Sequence, residues 1–107
     1  FIEPDRRAIK KASEIGAKIV ELHTGSYANA VTSKDKKNEL SRLNDAVNYA
    51  RDLGLVVCAG HGLDYGNVSG VARIASIYEL NIGYSIICHS IFVGLKGAVQ
   101  RMKKLIG

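Results

Sequence analysis

The sequence lacks a long apolar run, and this absence excludes a membrane-spanning helix. No stretch approaches the roughly 20 consecutive apolar residues that cross a bilayer. The first residues, Phe1–Arg7, also lack the order of charged, apolar and small residues that marks a secretory signal. We therefore expect a cytoplasmic protein that makes no contact with a membrane.

Cysteine is scarce, and its placement argues against disulfides and metal sites. The two cysteines, Cys58 and Cys88, each lie inside a short apolar stretch, as is typical of small buried hydrophobic side chains. Neither belongs to a CxxC pair, and the closely spaced Cys and His ligands of a zinc site are missing. We predict free thiols and no bound metal.

Methionine occurs once, at Met102, so the sequence does not begin at an initiator residue. The sequence instead begins with Phe1 and Ile2, which look like part of an apolar stretch typical of a strand. We therefore expect these residues to be a segment of a longer protein.

Basic residues exceed acidic ones, 15 Lys+Arg against 10 Asp+Glu, for a formal net charge of +5. They fall into separate groups with no aromatic residue among them, whereas single-stranded nucleic acid is bound on aromatic stacking platforms. Such groups are typical of solvated helix faces. No nucleic-acid partner is expected.

The length of 107 residues and the hydrophobic share of 47% suit a single globular unit. Its apolar periodicity alternates between that of strands and that of helices. Strands are predicted at 1–2, 18–23, 55–59 and 79–82, and helices at 4–15, 35–53, 68–77, 85–92 and 95–106. Pro4 suits the first turn of the first helix, Asn67 suits the N-cap of the third, and 24–33 is predicted to be a long loop.

Alternating strands and helices at intervals of about 30 residues predict an α/β fold with parallel strands joined by right-handed crossovers. About four strand–helix units could form a small open sheet or half of an eight-stranded (β/α) barrel. The extra short helix after the last strand favours the half barrel, since barrels bind phosphate with the loops after their final strands and an added helix.

In such a barrel the functional side chains lie where the strands end. Glu21 and His23 share one face of their strand, whereas Val20 and Leu22 are expected to face the helices. His61 lies between two glycines and could act as a general acid or base. An internal salt bridge for Glu21, a structural role for His23 and an ordinary turn at His61 remain as alternatives.

The turn Gly83-Tyr84-Ser85 lies between a strand and a short helix. Backbone N–H groups at a helix N-terminus stabilise anions, so phosphate is the expected ligand. The alternative is that Gly83 does no more than end the strand.

Three motifs make the chain recognisable as a relative of a known family: Glu21-Leu22-His23-Thr24-Gly25 followed by Tyr27-Ala28, Ala59-Gly60-His61-Gly62-Leu63 followed by Tyr65 and Asn67-Val68, and Glu79-Leu80-Asn81-Ile82-Gly83. Their letters and spacing resemble the C-terminal half of the pyridoxine 5'-phosphate synthase family. The resemblance extends over nearly the whole chain.

The resemblance implies the C-terminal half of a (β/α)8 TIM barrel that condenses 3-amino-2-oxopropyl phosphate with 1-deoxy-D-xylulose 5-phosphate. The products are pyridoxine 5'-phosphate, inorganic phosphate and water, with no metal or organic cofactor. By motif, Glu21 corresponds to the carboxylate that stabilises charge in the transition state, and His61 to a proton donor. Gly62 and the pair Gly83-Tyr84 correspond to contacts with the aminooxopropyl phosphate. Octamers built from dimers are also implied.

Two departures qualify this expectation. Tyr84 replaces the histidine that is common in the family, and the family's N-terminal half, with its remaining catalytic bases, is not in the sequence. The segment alone is therefore predicted to be inactive and to function only with that half. The alternative is a non-catalytic phosphate-binding α/β module.

Overall fold

Three parallel strands form the sheet that positions the candidate site. A computed structural model describes residues 1–107 and places β1 at Ile19–His23, β2 at Val56–Gly60 and β3 at Glu79–Asn81. Their order in the sheet is β1-β2-β3, with both pairs parallel. Ile2 adds a single parallel bridge to Leu22, so the predicted first strand is present only as a bridge.

Five helices follow or precede the strands: α1 at Arg6–Glu14, α2 at Gly25–Asn29, α3 at Ser33–Asp52, α4 at Val68–Ala72 and α5 at Tyr84–Ile106. Gly94, with φ 78°, breaks α5 into two helices, as the sequence predicted. The architecture is therefore α/β with an open parallel sheet. None of the helices has both the length and the apolar character needed to cross a membrane.

One face of the sheet carries the hydrophobic core. Side chains alternate along a strand, and the inward positions of β1 and β2 are aliphatic. They pack with apolar residues of α1 and α3 into one buried cluster that includes Val20, Leu22, Val57, Ala59, Ile9, Leu43 and Val47. The opposite face is open, with Ile19 and Val56 partly exposed.

Helix starts are set by side-chain caps. The Asp5 carboxylate accepts a hydrogen bond from Ala8 N at 2.8 Å, and the Thr32 hydroxyl accepts one from Asp35 N at 3.0 Å. Pro4 therefore precedes the cap of α1 and does not lie in its first turn, because the Asp5 side chain supplies the acceptor that the first turn needs.

The predicted loop at 24–33 and the predicted side-chain cap at Asn67 were wrong in part. Residues 25–29 form the short helix α2 within the predicted loop, where Ala28 N donates to Thr24 O at 2.9 Å. Asn67 occupies the N-cap position of α4 but makes no side-chain cap. Its amide instead donates to Gly62 O at 3.0 Å and accepts from Asp64 N at 2.8 Å. The Asn67 side chain therefore bonds to the backbone of the loop that precedes it and does not cap α4.

Two isoleucines at one helix provide a test of this core. Ile9 is fully buried whereas Ile15, at the end of α1, is 76% exposed. We expect Ile9→Ala to lower the free energy of unfolding by about 2–5 kcal/mol, since it leaves a cavity, and Ile15→Ala to change it by no more than about 0.5 kcal/mol. Urea unfolding followed by circular dichroism measures both. Equal losses would contradict the assigned core.

Candidate active site

The ends of β1 and β2 carry the predicted acid–base residues on the open face of the sheet. In the strand register Glu21 lies beside Cys58, and His23 lies beside Gly60. Both predicted side chains are half-buried, and the alternating neighbours of Glu21 are fully covered. The prediction that Glu21 and His23 share the face opposite the helices is confirmed.

Glu21 has room on this face because Gly60 of β2, the register partner of His23, has no side chain. A Cβ atom at Gly60 would meet Glu21 Oε1 and would lie 2.8 Å from Asn81 O. The carboxylate therefore lies directly over the backbone of β2. Any side chain at position 60 would compete with Glu21 for this space.

Cys58 lies in the same row of the sheet, between Glu21 on one strand and Glu79 on the other. Burial, and then the charges of Glu79 and Glu21, raise the pKa of the Cys58 thiol above its ordinary value of 9.0. The thiol therefore stays protonated at neutral pH, which argues against a nucleophilic role. No group of three or more His, Cys, Asp or Glu residues could hold a metal ion.

The ring of His23 is held from two sides. Its Nδ1 accepts a hydrogen bond from Gly25 N at 3.0 Å, so in the neutral ring the proton is on Nε2. The ring centroid lies 4.7 Å from that of His61 and 4.8 Å from that of Phe1. A Cβ atom at Gly25 would meet the His23 ring, so the glycine leaves space for the imidazole.

His61 follows β2 in a strained backbone conformation. Its φ of 85° lies in the left-handed region, which a residue with a Cβ enters at a cost of about 1–3 kcal/mol. The buried Thr24 hydroxyl lies 2.6 Å from His61 O and hydrogen-bonds to it. The hydrogen bond from Thr24 therefore helps to hold this histidine in its strained conformation, which its flanking glycines alone would not do.

An open cleft of about 720 Å³ lies between the end of β2 and the start of α5. Its walls are the loop His61–Asp64, the turn Asn81–Ser85 and Cys88. Four of the five predicted site residues line it: His61, Gly62, Gly83 and Tyr84. Glu21 does not line the cleft and lies on β1 at the neighbouring strand end.

Three residues that line this cleft have backbone N–H donors without partners in the chain. The N–H groups of His61, Gly62 and Leu63 donate no hydrogen bond to any protein acceptor. Tyr84 and Ser85 open α5, and the first N–H groups of a helix have no intrahelical partner. Free N–H groups beside a helix N-terminus suit an anion with several acceptor oxygens.

Comparison with known proteins identifies the family. The model described as pyridoxal phosphate biosynthesis protein PdxJ matches residues 1–107. The chain belongs to this family. The resemblance drawn from the three motifs is thereby confirmed.

Curated relatives show how much of such a protein the chain represents. A pyridoxine 5'-phosphate synthase from Sulfurihydrogenibium sp. is 51% identical over 106 residues, and one from Legionella pneumophila (strain Corby) is 47% identical over 106 residues. Each match covers 99% of this chain but 43% of the relative. The chain thus spans less than half the length of these relatives.

The sequence motifs included Thr24, Asn67 and Ser85, but their functions were not anticipated. Each makes a side-chain hydrogen bond to a carbonyl of the loop after β2. Only their polarity could have drawn attention to them, since their partners are 5 to 37 residues away in sequence.

Replacing Gly60 tests the space below Glu21. We expect Gly60→Ala to lower the free energy of unfolding by about 1–3 kcal/mol, since the new methyl group would press on Asn81 O and on the carboxylate. Gly97→Ala is the control, because its nearest neighbour would be Val93 Cγ2 at 3.6 Å and helix propensity favours alanine. Urea unfolding compares the two. A Gly60→Ala protein as stable as the control would refute the steric argument.

Tyr27 provides a pH-dependent test. Its hydroxyl donates to Asn67 O at 2.6 Å, and burial, then the charge of Asp64, raise its pKa above the ordinary 10.0. The folded state thus holds the proton more tightly than the unfolded state, so this stabilisation is complete below pH 10.0 and is lost as pH rises through the folded-state pKa. The stability difference between wild type and Tyr27→Phe should therefore shrink only above about pH 10. Unfolding in urea at several pH values measures it, and a constant difference would disprove the assignment.

Proposed function

We propose that these residues form the C-terminal part of a pyridoxine 5'-phosphate synthase, a (β/α)8 barrel whose remaining strands come from the rest of a longer chain. Family membership supports this, and so does the sheet. Its open face carries partly exposed apolar side chains at Ile19 and Val56, which the interior of a closed barrel would cover.

The proposed reaction joins 3-amino-2-oxopropyl phosphate to 1-deoxy-D-xylulose 5-phosphate and closes the pyridine ring, releasing inorganic phosphate and water. Ring closure requires proton transfers to leaving oxygens and stabilisation of developing positive charge. His61 is the proton donor in this proposal, because an imidazole can give up a proton near neutral pH. Glu21 supplies the negative charge at the neighbouring strand end.

The cleft binds the phosphate of the aminooxopropyl substrate in this proposal. The observation that carries it is the set of unpartnered N–H groups of His61, Gly62 and Leu63 beside the first turn of α5. A phosphate has enough acceptor oxygens to take several such donors. A contact at Gly83-Tyr84 through backbone N–H groups would also explain how Tyr84, whose side chain is 87% exposed, can replace histidine.

Assembly and location are part of the same proposal. We propose a cytoplasmic homo-oligomer, the octamer that the family resemblance implies. The first half of α5 exposes large apolar side chains at Tyr84, Ile87, Ile91 and Phe92, and exposed apolar patches are typical of interaction surfaces.

A second candidate is a phosphate-binding module without catalysis. The observation that favours it is that the loop after β2 and the turn before α5 line the cleft, whereas the Glu21 carboxylate lies outside it. In that case the complete protein would bind the phosphate compound and release no product.

The decisive experiment assays the complete synthase chain, meaning these 107 residues joined to the N-terminal half that the proposal requires. Turnover of the two substrates is followed by release of inorganic phosphate. We expect His61→Asn to lower kcat by about 100- to 10,000-fold, the usual contribution of a general acid. Asparagine tolerates the left-handed conformation, so the backbone is kept.

His89→Asn is the matched control, since it makes the same change at a histidine on α5 that contacts Tyr65 and Arg101 outside the cleft. It should leave kcat unchanged. Phosphate binding without turnover in the wild-type protein would favour the module. Equal losses of kcat in the two variants would contradict the proposed role of His61 as proton donor.

A further inference from the structure

The loop after β2 has four consecutive carbonyl groups, and each accepts a hydrogen bond from a fixed donor. Gly60 O accepts from Thr24 N at 2.8 Å. The Thr24 hydroxyl, which has a single hydrogen to donate, lies 2.6 Å from His61 O and 2.7 Å from Gly60 O and shares that hydrogen between them. Gly62 O accepts from Asn67 Nδ2 at 3.0 Å, and Leu63 O from the Ser85 hydroxyl at 2.8 Å.

This arrangement determines where the backbone donors point. The C=O and N–H of a trans peptide point in opposite directions. The carbonyls of Gly60, His61 and Gly62 are turned into the protein, so the N–H groups of the residues that follow them are turned outward. Those are the three N–H groups of His61, Gly62 and Leu63 that have no partner in the chain, and all three residues line the cleft.

Thr24 is the centre of this network. It is fully buried, and its single hydroxyl contacts two successive carbonyls on either side of the His61 peptide unit. Both His61 and Gly62 have positive φ, 85° and 77°, and a Cβ atom at Gly62 would lie 2.7 Å from Ala28 Cβ. Thr24, between β1 and α2, therefore supplies the hydrogen bond to the carbonyl of the strained histidine.

We propose that Thr24 is a positioning residue of the active site. Its hydroxyl fixes the direction of the His61 side chain and turns the N–H of Gly62 toward the cleft, while Asn67 does the same for the N–H of Leu63. The inference rests on the proposed function, because it assigns His61 to proton transfer and these N–H groups to phosphate. It adds Thr24 and Asn67 as the residues that hold His61 and these N–H groups in the positions that the reaction requires.

Thr24→Val and Thr24→Ser in the complete synthase chain separate the hydroxyl from the shape of the side chain. Valine fills the same space without a donor, so we expect kcat to fall about 10- to 100-fold, the range for a misplaced catalytic group, with a smaller change in KM. Serine keeps the donor and should restore kcat to within about threefold of wild type. Steady-state kinetics with both substrates gives kcat and KM separately.

Thr32→Val is the matched control. It removes the hydroxyl that caps α3 at Asp35 N, which costs about 1 kcal/mol of stability, yet lies outside the cleft. Thermal unfolding of both valine variants shows whether their stabilities are comparable. If Thr24→Val loses no more kcat than Thr32→Val, Thr24 is only structural and the inference is wrong.

Binding of inorganic phosphate, measured by isothermal titration, is independent of turnover. Thr24→Val should weaken it several-fold and Thr32→Val should not. If the wild-type chain binds phosphate but releases no product, the proposed synthase activity fails while this test of Thr24 still stands. If Thr24→Val leaves both phosphate binding and kcat unchanged, the inference about Thr24 is wrong while the proposed synthase activity still stands.

Asn67→Ala is the second variant should Thr24→Val fail to fold. It removes the donor to Gly62 O and leaves Thr24 in place, so we expect KM for the aminooxopropyl phosphate to rise several-fold with a smaller change in kcat. A fall in kcat without any rise in KM would contradict the separation of the two positioning roles.

Discussion

The alternation of side chains along two parallel strands is the constraint on which the rest of this structure depends. Burying the aliphatic residues of β1 and β2 against α1 and α3 forces the residues between them to the other face, because the period of a strand is two. Glu21 and His23 are therefore presented together on the open face. A shift of one residue in register would send both into the hydrophobic core, where a carboxylate without a partner is costly.

Two glycines and one hydroxyl group determine the local geometry at the ends of the strands. Gly60 and Gly25 leave space for the Glu21 carboxylate and the His23 ring, and the Thr24 hydroxyl contacts the strained backbone at His61. The same residues that shape the ends of the strands thus orient the donors of the cleft. Proton transfer and phosphate binding are proposed at adjacent peptide units, so a single loop conformation serves both.

Strong local patterns were read correctly from the sequence. The long amphipathic helix α3 and the break of α5 at Gly94 follow from apolar periodicity and from the freedom of glycine. The short helix α2 was not. The helix α2 has five residues and forms around the buried Tyr27, whose hydroxyl bonds to Asn67 O across 40 positions. No local window contains that contact. Asn67 occupies the predicted N-cap position of α4, but its side chain bonds to Gly62 O and Asp64 N of the preceding loop and does not cap the helix.

The sequence by itself determined the family, the parallel α/β architecture and the identities of the residues at the strand ends, because periodicity and motif spacing are properties of the chain in order. Tertiary structure alone decided that His61, Gly62, Gly83 and Tyr84 line one cleft while Glu21 lies beside it. It also decided that Thr24 and Ser85 hold the loop carbonyls. Those contacts join residues 22 to 37 positions apart, and a hydrogen bond over such a distance exists only once the sheet has brought its strand ends together.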